Sequence, residues 1–134
     1  MASDGTTRAK VRVLVVDDYV DAVELLAEAL SLSGYDVLSA LDGASGIELF
    51  SSEQPVAVFV DIGMPGMDGY EVARRIRAQP TGGKAFLVAL TGHSGDAERR
   101  RTADAGFDLH LVKPVDLGKV AALLDERFSA HGAH

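Results

Sequence analysis

The sequence contains no cysteine. That excludes a disulfide framework, a thiolate metal site and a cysteine nucleophile, and it fits a reducing compartment. It also lacks a surplus of positive charge: 13 lysines and arginines face 20 acidic residues, a formal net charge of −7. A module that grips a nucleic-acid backbone needs a basic footprint, so no nucleic-acid partner is expected. No apolar run approaches the roughly 20 residues that cross a bilayer. The first ten residues are polar and lack the apolar stretch of a secretory signal. Membrane insertion is therefore not expected, and the cytoplasm is the expected location.

What is present suits one folded unit. The chain has 134 residues, 47% of them hydrophobic, enough for one core that buries roughly two-thirds of the unfolded surface. Residues 1–10 and 129–134 are polar and small, and read as flexible tails around a domain at 11–128. With about six residues after that domain, no output domain is expected.

Two hydrophobic patterns alternate between the tails. Short unbroken apolar runs lie at 11–16, 56–60, 86–90 and 109–112, with a weaker one at 35–40. Such runs suit strands buried on both faces, as in a parallel sheet. Helical spacing separates them. Val20, Val23, Ala27 and Leu30 form one stripe; Ala44, Ile47 and Phe50 form a second. Val72, Ala73 and Ile76 mark a third helix, with Arg74, Arg75 and Arg77 toward water. Residues 96–105 make a polar fourth, and Leu117, Val120, Leu124 and Phe128 mark a fifth. Asp42, Asp68, Ser94 and Asp116 stand where helix N-caps are expected. Gly34 and Gly106 follow helices, where a left-handed residue is common. The order βαβαβαβαβα implies an α/β fold, an open doubly wound parallel sheet with helices on both faces. The flavodoxin-like (βα)5 strand order 2-1-3-4-5 is the expectation, although alternation alone permits other doubly wound orders.

In such sheets ligands bind beyond the carboxyl ends of the strands. Those ends carry Asp17 and Asp18, Asp61, Thr91, and Lys113. Taken singly, an aspartate there is a turn former or a cap, and a lysine is a solvated surface residue. Together they put three carboxylates, a hydroxyl and an ammonium on one edge. Three carboxylates so close repel one another. A hard cation relieves this, and Mg²⁺ takes oxygen ligands from one or two carboxylates plus a phosphate. Asp61 then reads as a nucleophile that accepts a phosphoryl group. Lys113 and Thr91 supply a cation and a donor for its oxygens.

Four motifs carry a resemblance: Val-Leu-Val-Val-Asp-Asp at 13–18, Val-Asp-Ile-Gly-Met-Pro-Gly-Met-Asp-Gly at 60–69, Ala-Leu-Thr-Gly at 89–92 and Val-Lys-Pro at 112–114. In this order and spacing the chain resembles the receiver domain of two-component response regulators over about residues 11–128. The wording around Asp61 and Lys113 looks most like receivers fused to hybrid histidine kinases. The resemblance implies that Asp61 is the phosphoacceptor. It implies that Asp18, Asp61 and the Gly63 backbone carbonyl ligate Mg²⁺ (or Mn²⁺), with Asp17 acting through water. It implies a cis Lys113–Pro114 bond and a domain that assists only its own phosphorylation and dephosphorylation. The implied partners are a histidine kinase or histidine phosphotransfer protein as donor and a downstream protein target. With no output domain expected, the chain reads either as a stand-alone regulator or as a fragment of a larger kinase. In receivers the hydroxyl residue, here Thr91, moves toward the phosphate. An aromatic residue on the fifth strand then rotates inward and remodels the surface of the fourth helix, fifth strand and fifth helix.

This chain departs from the pattern at that switch position, where it has His110, a flat ring that belongs to the residue type able to titrate near neutrality. The plainer reading of His110 is a half-buried strand residue. Gly63 offers no side chain to the attacking water, and His93 stands two residues after Thr91; both are expected to tune the dephosphorylation rate. Arg99, Arg100 and Arg101 read as a solvated helix face, or as a contact for a partner. Met64 and Met67 are expected to pack locally. Two other activities are alternatives: a flavin-binding electron carrier, which shares the fold, and an aspartyl-phosphate phosphatase of haloacid-dehalogenase type, which shares the chemistry. The first places glycines and hydroxyls after strand 1, where this chain has Asp17 and Asp18; the second spaces its acidic pair two residues apart. A degenerate receiver serving only as a scaffold is disfavoured by the presence of all five site residues.

Overall fold

Five strands and five helices alternate along the chain in the computed structural model, which describes residues 11–128. The expected flexible tails lie outside the described residues. In chain order the elements are β1 (Arg12–Val16), α1 (Val20–Leu32), β2 (Asp36–Ala40), α2 (Gly43–Glu53) and β3 (Ala57–Asp61). Then come α3 (Gly69–Arg77), a 3₁₀ turn (Gly82–Lys84), β4 (Phe86–Thr91), α4 (Asp96–Ala105), β5 (Leu109–Val112) and α5 (Leu117–Phe128). All strand pairs are parallel, in the order β2-β1-β3-β4-β5. Of the orders that alternation permits, the flavodoxin-like one is present.

Alternate strand residues face opposite layers. Leu14, Val16, Val58, Val60, Leu87 and Ala89 point to one side, against Phe50 of α2, Val72, Ala73 and Ile76 of α3, and Ala105 of α4. Val13, Val15, Phe59, Val88 and Leu90 point to the other, against Val23, Leu26 and Leu30 of α1 and Val120 and Leu124 of α5. The central strands β3 and β4 are buried throughout. The expectation of two-sided burial fails for β5, an edge strand with only one neighbour, where Leu109 and Val112 stay exposed.

Three helix faces differ from the sequence expectation. On α1 the buried stripe is Val23, Leu26 and Leu30, while Val20 is exposed in the first turn. On α2 the buried residues are Gly43, Gly46 and Phe50, and Ala44 is exposed. Helix α2 crosses β1 so closely that a Cβ on Gly46 would lie 2.7 Å from Val16 Cγ2, so glycine shares the inner face with the expected Phe50 and Ile47. On α3, Arg74 and Arg75 face water, but Arg77 folds inward. Its guanidinium donates to the carbonyls of Gly82 (2.6 Å), Ala85 (2.7 Å) and Gly106 (2.9 Å), and pairs with Asp108 at 3.0 Å.

The caps follow the sequence with one exception. Asp42 accepts from the Ser45 N–H, Asp68 from that of Glu71 and Asp116 from that of Lys119. Ser94 does not cap α4; Gly95, at φ 124°, holds that position without a side chain to bond. Gly106 ends α4 in the left-handed region at φ 110°. Among the described residues no helix is long and apolar enough to cross a membrane.

Candidate functional site

Parallel register brings the strand ends together. Val16 pairs with Val60, Asp61 with Leu90 and Thr91 with Val112. Asp17, Asp61, Thr91 and Lys113 therefore line one edge, each on or just beyond a strand terminus. The Lys113 N–H donates to the Thr91 carbonyl at 2.7 Å, which prolongs the β4–β5 ladder into the site. The Lys113–Pro114 peptide bond is cis.

The carboxylates converge as expected. Asp17, Asp18 and Asp61 each offer an oxygen within 4.8 Å of the others. Asp17 is almost completely buried, Asp61 is buried, and Asp18 is exposed at the rim. Lys113 Nζ sits 3.1 Å from Asp61 Oδ1 and 3.3 Å from Asp17 Oδ2. The Tyr19 N–H donates to Asp17 Oδ1 at 3.0 Å, and the Gly63 N–H to Asp61 Oδ1 at 3.2 Å.

Electrostatics follow from this geometry. Burial pushes the Asp17 carboxyl up from its ordinary value; the charge of Asp61 adds to the rise, and the Tyr19 N–H and Lys113 oppose it. For Lys113, burial alone acts downward, but the bond to Asp61 and the charges of both aspartates outweigh it and raise its pKa. The lysine stays cationic. One ammonium against three clustered carboxylates leaves the cleft with unbalanced negative charge and an all-oxygen donor set. That combination fits a hard divalent cation such as Mg²⁺.

Thr91 closes β4 and is buried. Its hydroxyl accepts from the His93 N–H at 3.1 Å and lies 3.3 Å from both the His93 carbonyl and Glu98 Oε2. His93 thus reaches Thr91 through its backbone, and the residue is exposed. His110 is half-buried on β5, with Nδ1 3.5 Å from Thr102 Oγ1. Thr102 donates its only hydroxyl proton to the Arg99 carbonyl at 2.9 Å, so a bond to His110 requires the proton on Nδ1. Beside this ring a groove of about 370 Å³ runs between α4 and β5, past Arg99 and Phe107. Arg99 and Arg100 are exposed, and Arg101 stacks over the Tyr70 ring at 4.3 Å. Met64 is buried and Met67 packs on the same core.

Sequence reasoning missed Glu98 and Tyr70, whose hydroxyl donates to Glu98 Oε2 at 2.5 Å. A signal existed in the polar fourth helix. Glu98, Thr102 and Ala105 recur at spacings of four and three, which marks its inner face.

Comparison with known proteins agrees with this geometry. Residues 13–125 match the family model of the response regulator receiver domain. The chain is 41% identical over 112 residues to the response regulator MprA of Mycolicibacterium vanbaalenii, covering 84% of this chain and 48% of that protein. The MprA of Mycobacterium tuberculosis is 39% identical with the same coverage. The chain thus spans about half the length of the curated relatives it matches. Among solved structures, chemotaxis protein CheY4 of Vibrio cholerae superposes with a TM-score of 0.84 at 24% identity, covering 88% of this chain and 98% of its own. The receiver domain of a sensor histidine kinase from Pseudomonas aeruginosa, with a magnesium ion coordinated in the active site cleft, gives a TM-score of 0.80 at 27% identity. It covers 88% of this chain and 97% of its own. Neither the flavin carrier nor the phosphatase is favoured by these matches.

Proposed function

The chain belongs to the family of response regulator receiver domains, and on that premise we propose that it is a Mg²⁺-dependent phospho-switch whose acceptor is Asp61. The observation that carries this reading is the cluster of Asp17, Asp18 and Asp61, with Lys113 paired to Asp17 and Asp61. Asp18, Asp61 and the Gly63 carbonyl would hold Mg²⁺, or Mn²⁺, with Asp17 acting through water. The ion, when bound, neutralises charge on the phosphoryl oxygens and on the carboxylates that face them.

Asp61 is the nucleophile. Its carboxylate oxygen forms a bond to phosphorus as the N–P bond of a phosphohistidine breaks. The imidazole nitrogen leaves with that electron pair and takes up a proton. Lys113, held cationic by its neighbours, moves from the Asp61 oxygen to a phosphoryl oxygen. Thr91 turns its hydroxyl to a second one. The chemistry is positioning and charge stabilisation, which suits a signalling domain that assists its own modification.

The donor is a histidine kinase or histidine phosphotransfer protein, and the output is a protein contact through α4, β5 and α5, with His110 as the switch ring. An apolar groove of about 400 Å³ between α1 and the start of α5 opens beside Asp17 and Lys113, flanked by the exposed Tyr19 and Leu25. It gives a protein donor a surface next to the acceptor. The Pseudomonas neighbour, itself part of a sensor histidine kinase, supports the hybrid-kinase wording of two motifs. The expectation of no nucleic-acid partner is kept for this receiver unit alone, because the curated relatives are about twice its length.

Gly63 and His93 tune the lifetime of the phosphoryl group. A side chain at Gly63 would meet nothing within 4 Å, so the position can be filled without disturbing the fold. Exchanging either residue changes the phosphate half-life; unchanged half-lives would end that assignment.

The reading is tested by incubating wild type and Asp61→Asn with acetyl phosphate and Mg²⁺ and weighing both by intact mass spectrometry. A phosphoryl adduct is expected on wild type alone. Equal adducts on the two proteins would refute Asp61 as the acceptor.

A further inference from the structure

The Thr91 hydroxyl is already engaged. It has one proton and two lone pairs. One lone pair takes the His93 N–H at 3.1 Å. Two acceptors stand within reach of the proton, Glu98 Oε2 and the His93 carbonyl, both at 3.3 Å. A hydrogen bond to an ionised carboxylate is roughly twice as strong as one to a neutral carbonyl, so Glu98 is the favoured acceptor. While it holds that proton, Thr91 has none to offer a phosphoryl oxygen.

Glu98 is itself held in place. It is half-buried on the first turn of α4, and the Tyr70 hydroxyl donates to the same Oε2 at 2.5 Å. Tyr70 is buried at the start of α3, under the Arg101 guanidinium. Burial, then the bond and charge of Glu98, push its phenol up to about 12, so it remains a donor at neutral pH. One carboxylate oxygen therefore joins the end of β4, the start of α3 and the first turn of α4.

We propose that Glu98 is a positioning latch that withholds the Thr91 hydroxyl from the phosphoryl group until α4 yields. The proposal rests on the reading of Asp61 as acceptor. Release orphans no buried group, because Glu98 keeps the Tyr70 donor when Thr91 turns away. The hydroxyl exchanges one anionic acceptor for another, so the two states lie close in energy and the latch is reversible. Tyr70 stays bound to Glu98 in both states. Any shift of α4 is thereby transmitted to α3, whose first residue, Gly69, lies against the Asp61 carbonyl.

The test is a double-mutant cycle on the rate of Mg²⁺-dependent phosphorylation by acetyl phosphate, read by intact mass. Glu98→Ala frees the hydroxyl and is expected to speed uptake by about three- to tenfold, the scale of one charged hydrogen bond. Glu98→Gln keeps a weaker neutral acceptor and is expected to give a smaller gain. In a Thr91→Ala background neither substitution should change the rate further. A purely structural role for Glu98 would instead act with or without the hydroxyl. Should the alanine variant melt early, the isosteric glutamine variant carries the test. Wild-type rates in both variants, or a gain that persists without Thr91, would overturn the latch. If wild type takes up no phosphoryl group at Asp61, the phospho-switch reading falls and the latch falls with it. If wild type is phosphorylated and the Glu98 variants match it, the latch alone falls.

Discussion

At Asp17 burial and charge pull in opposite directions. Its carboxylate is almost wholly excluded from water beside Asp61, and its pKa rises despite Lys113. An acid whose pKa is higher in the native state binds its proton more tightly there. Native stability is then lost as pH climbs from the ordinary value of 3.8 through the raised one. At neutral pH the ionised Asp17 weakens the metal-free protein. Asp17→Asn is therefore expected to raise the melting temperature in EDTA by roughly 3–6 °C, the scale of a change of about 1 kcal/mol in a domain this size. A lower melting temperature would show that the ion pair with Lys113 outweighs the burial penalty. The site residues were legible in the sequence because each stands at a strand end, where position alone fixes direction. Glu98 was legible only as an inner-face position of α4; its pairing with Tyr70 was not, because the two meet only through the rotation of α3 and α4 about their own axes.

The start of α3 is where a helix lies against the strand that carries the proposed acceptor, Asp61. Gly69 begins the helix after the Asp68 cap, and a Cβ there would lie 2.6 Å from the Asp61 carbonyl oxygen and 2.8 Å from Ile62 Cα. Both are backbone atoms at the end of β3, which cannot swing aside as a long side chain can. Gly69→Ala is expected to destabilise the fold by about 1–3 kcal/mol and to slow phosphorylation, because the acceptor strand must shift. Urea unfolding and the acetyl phosphate assay read the two effects, and wild-type values in both would refute the contact. Helix positions were legible from their caps and spacings. Their inner faces were less so: Gly46 packs on Val16 in place of the expected Ala44, and Arg77 turns inward to three backbone carbonyls. Glycine has no hydropathy signal for close approach, and an arginine clamp depends on carbonyls that only the folded loops present.

Across the whole molecule the sheet's alternation gathers charge at one edge, and an ion held by that edge would couple its binding to folding. A ligand that binds only the native state stabilises it by mass action, about 1.4 kcal/mol at ten times its dissociation constant. Mg²⁺ is expected to raise the melting temperature of wild type and to do so far less for Asp18→Asn, as followed by circular dichroism. An equal gain in both would place the ion elsewhere. Strand order was settled only in the fold, since βα alternation is shared by several doubly wound sheets, whereas the clustering of strand ends holds for neighbours in this one.

The central claim is that the acceptor is the carboxylate of Asp61, and the most direct measurement traps the acyl phosphate itself. Borohydride reduces an aspartyl phosphate to homoserine, with release of phosphate, and leaves a free aspartate unchanged. After acetyl phosphate and Mg²⁺, peptide mass mapping should find homoserine at position 61 and nowhere else, and none when EDTA is added first. Homoserine at Asp17 or Asp18, or an unmodified Asp61 in protein that has gained a phosphoryl group, would contradict the account.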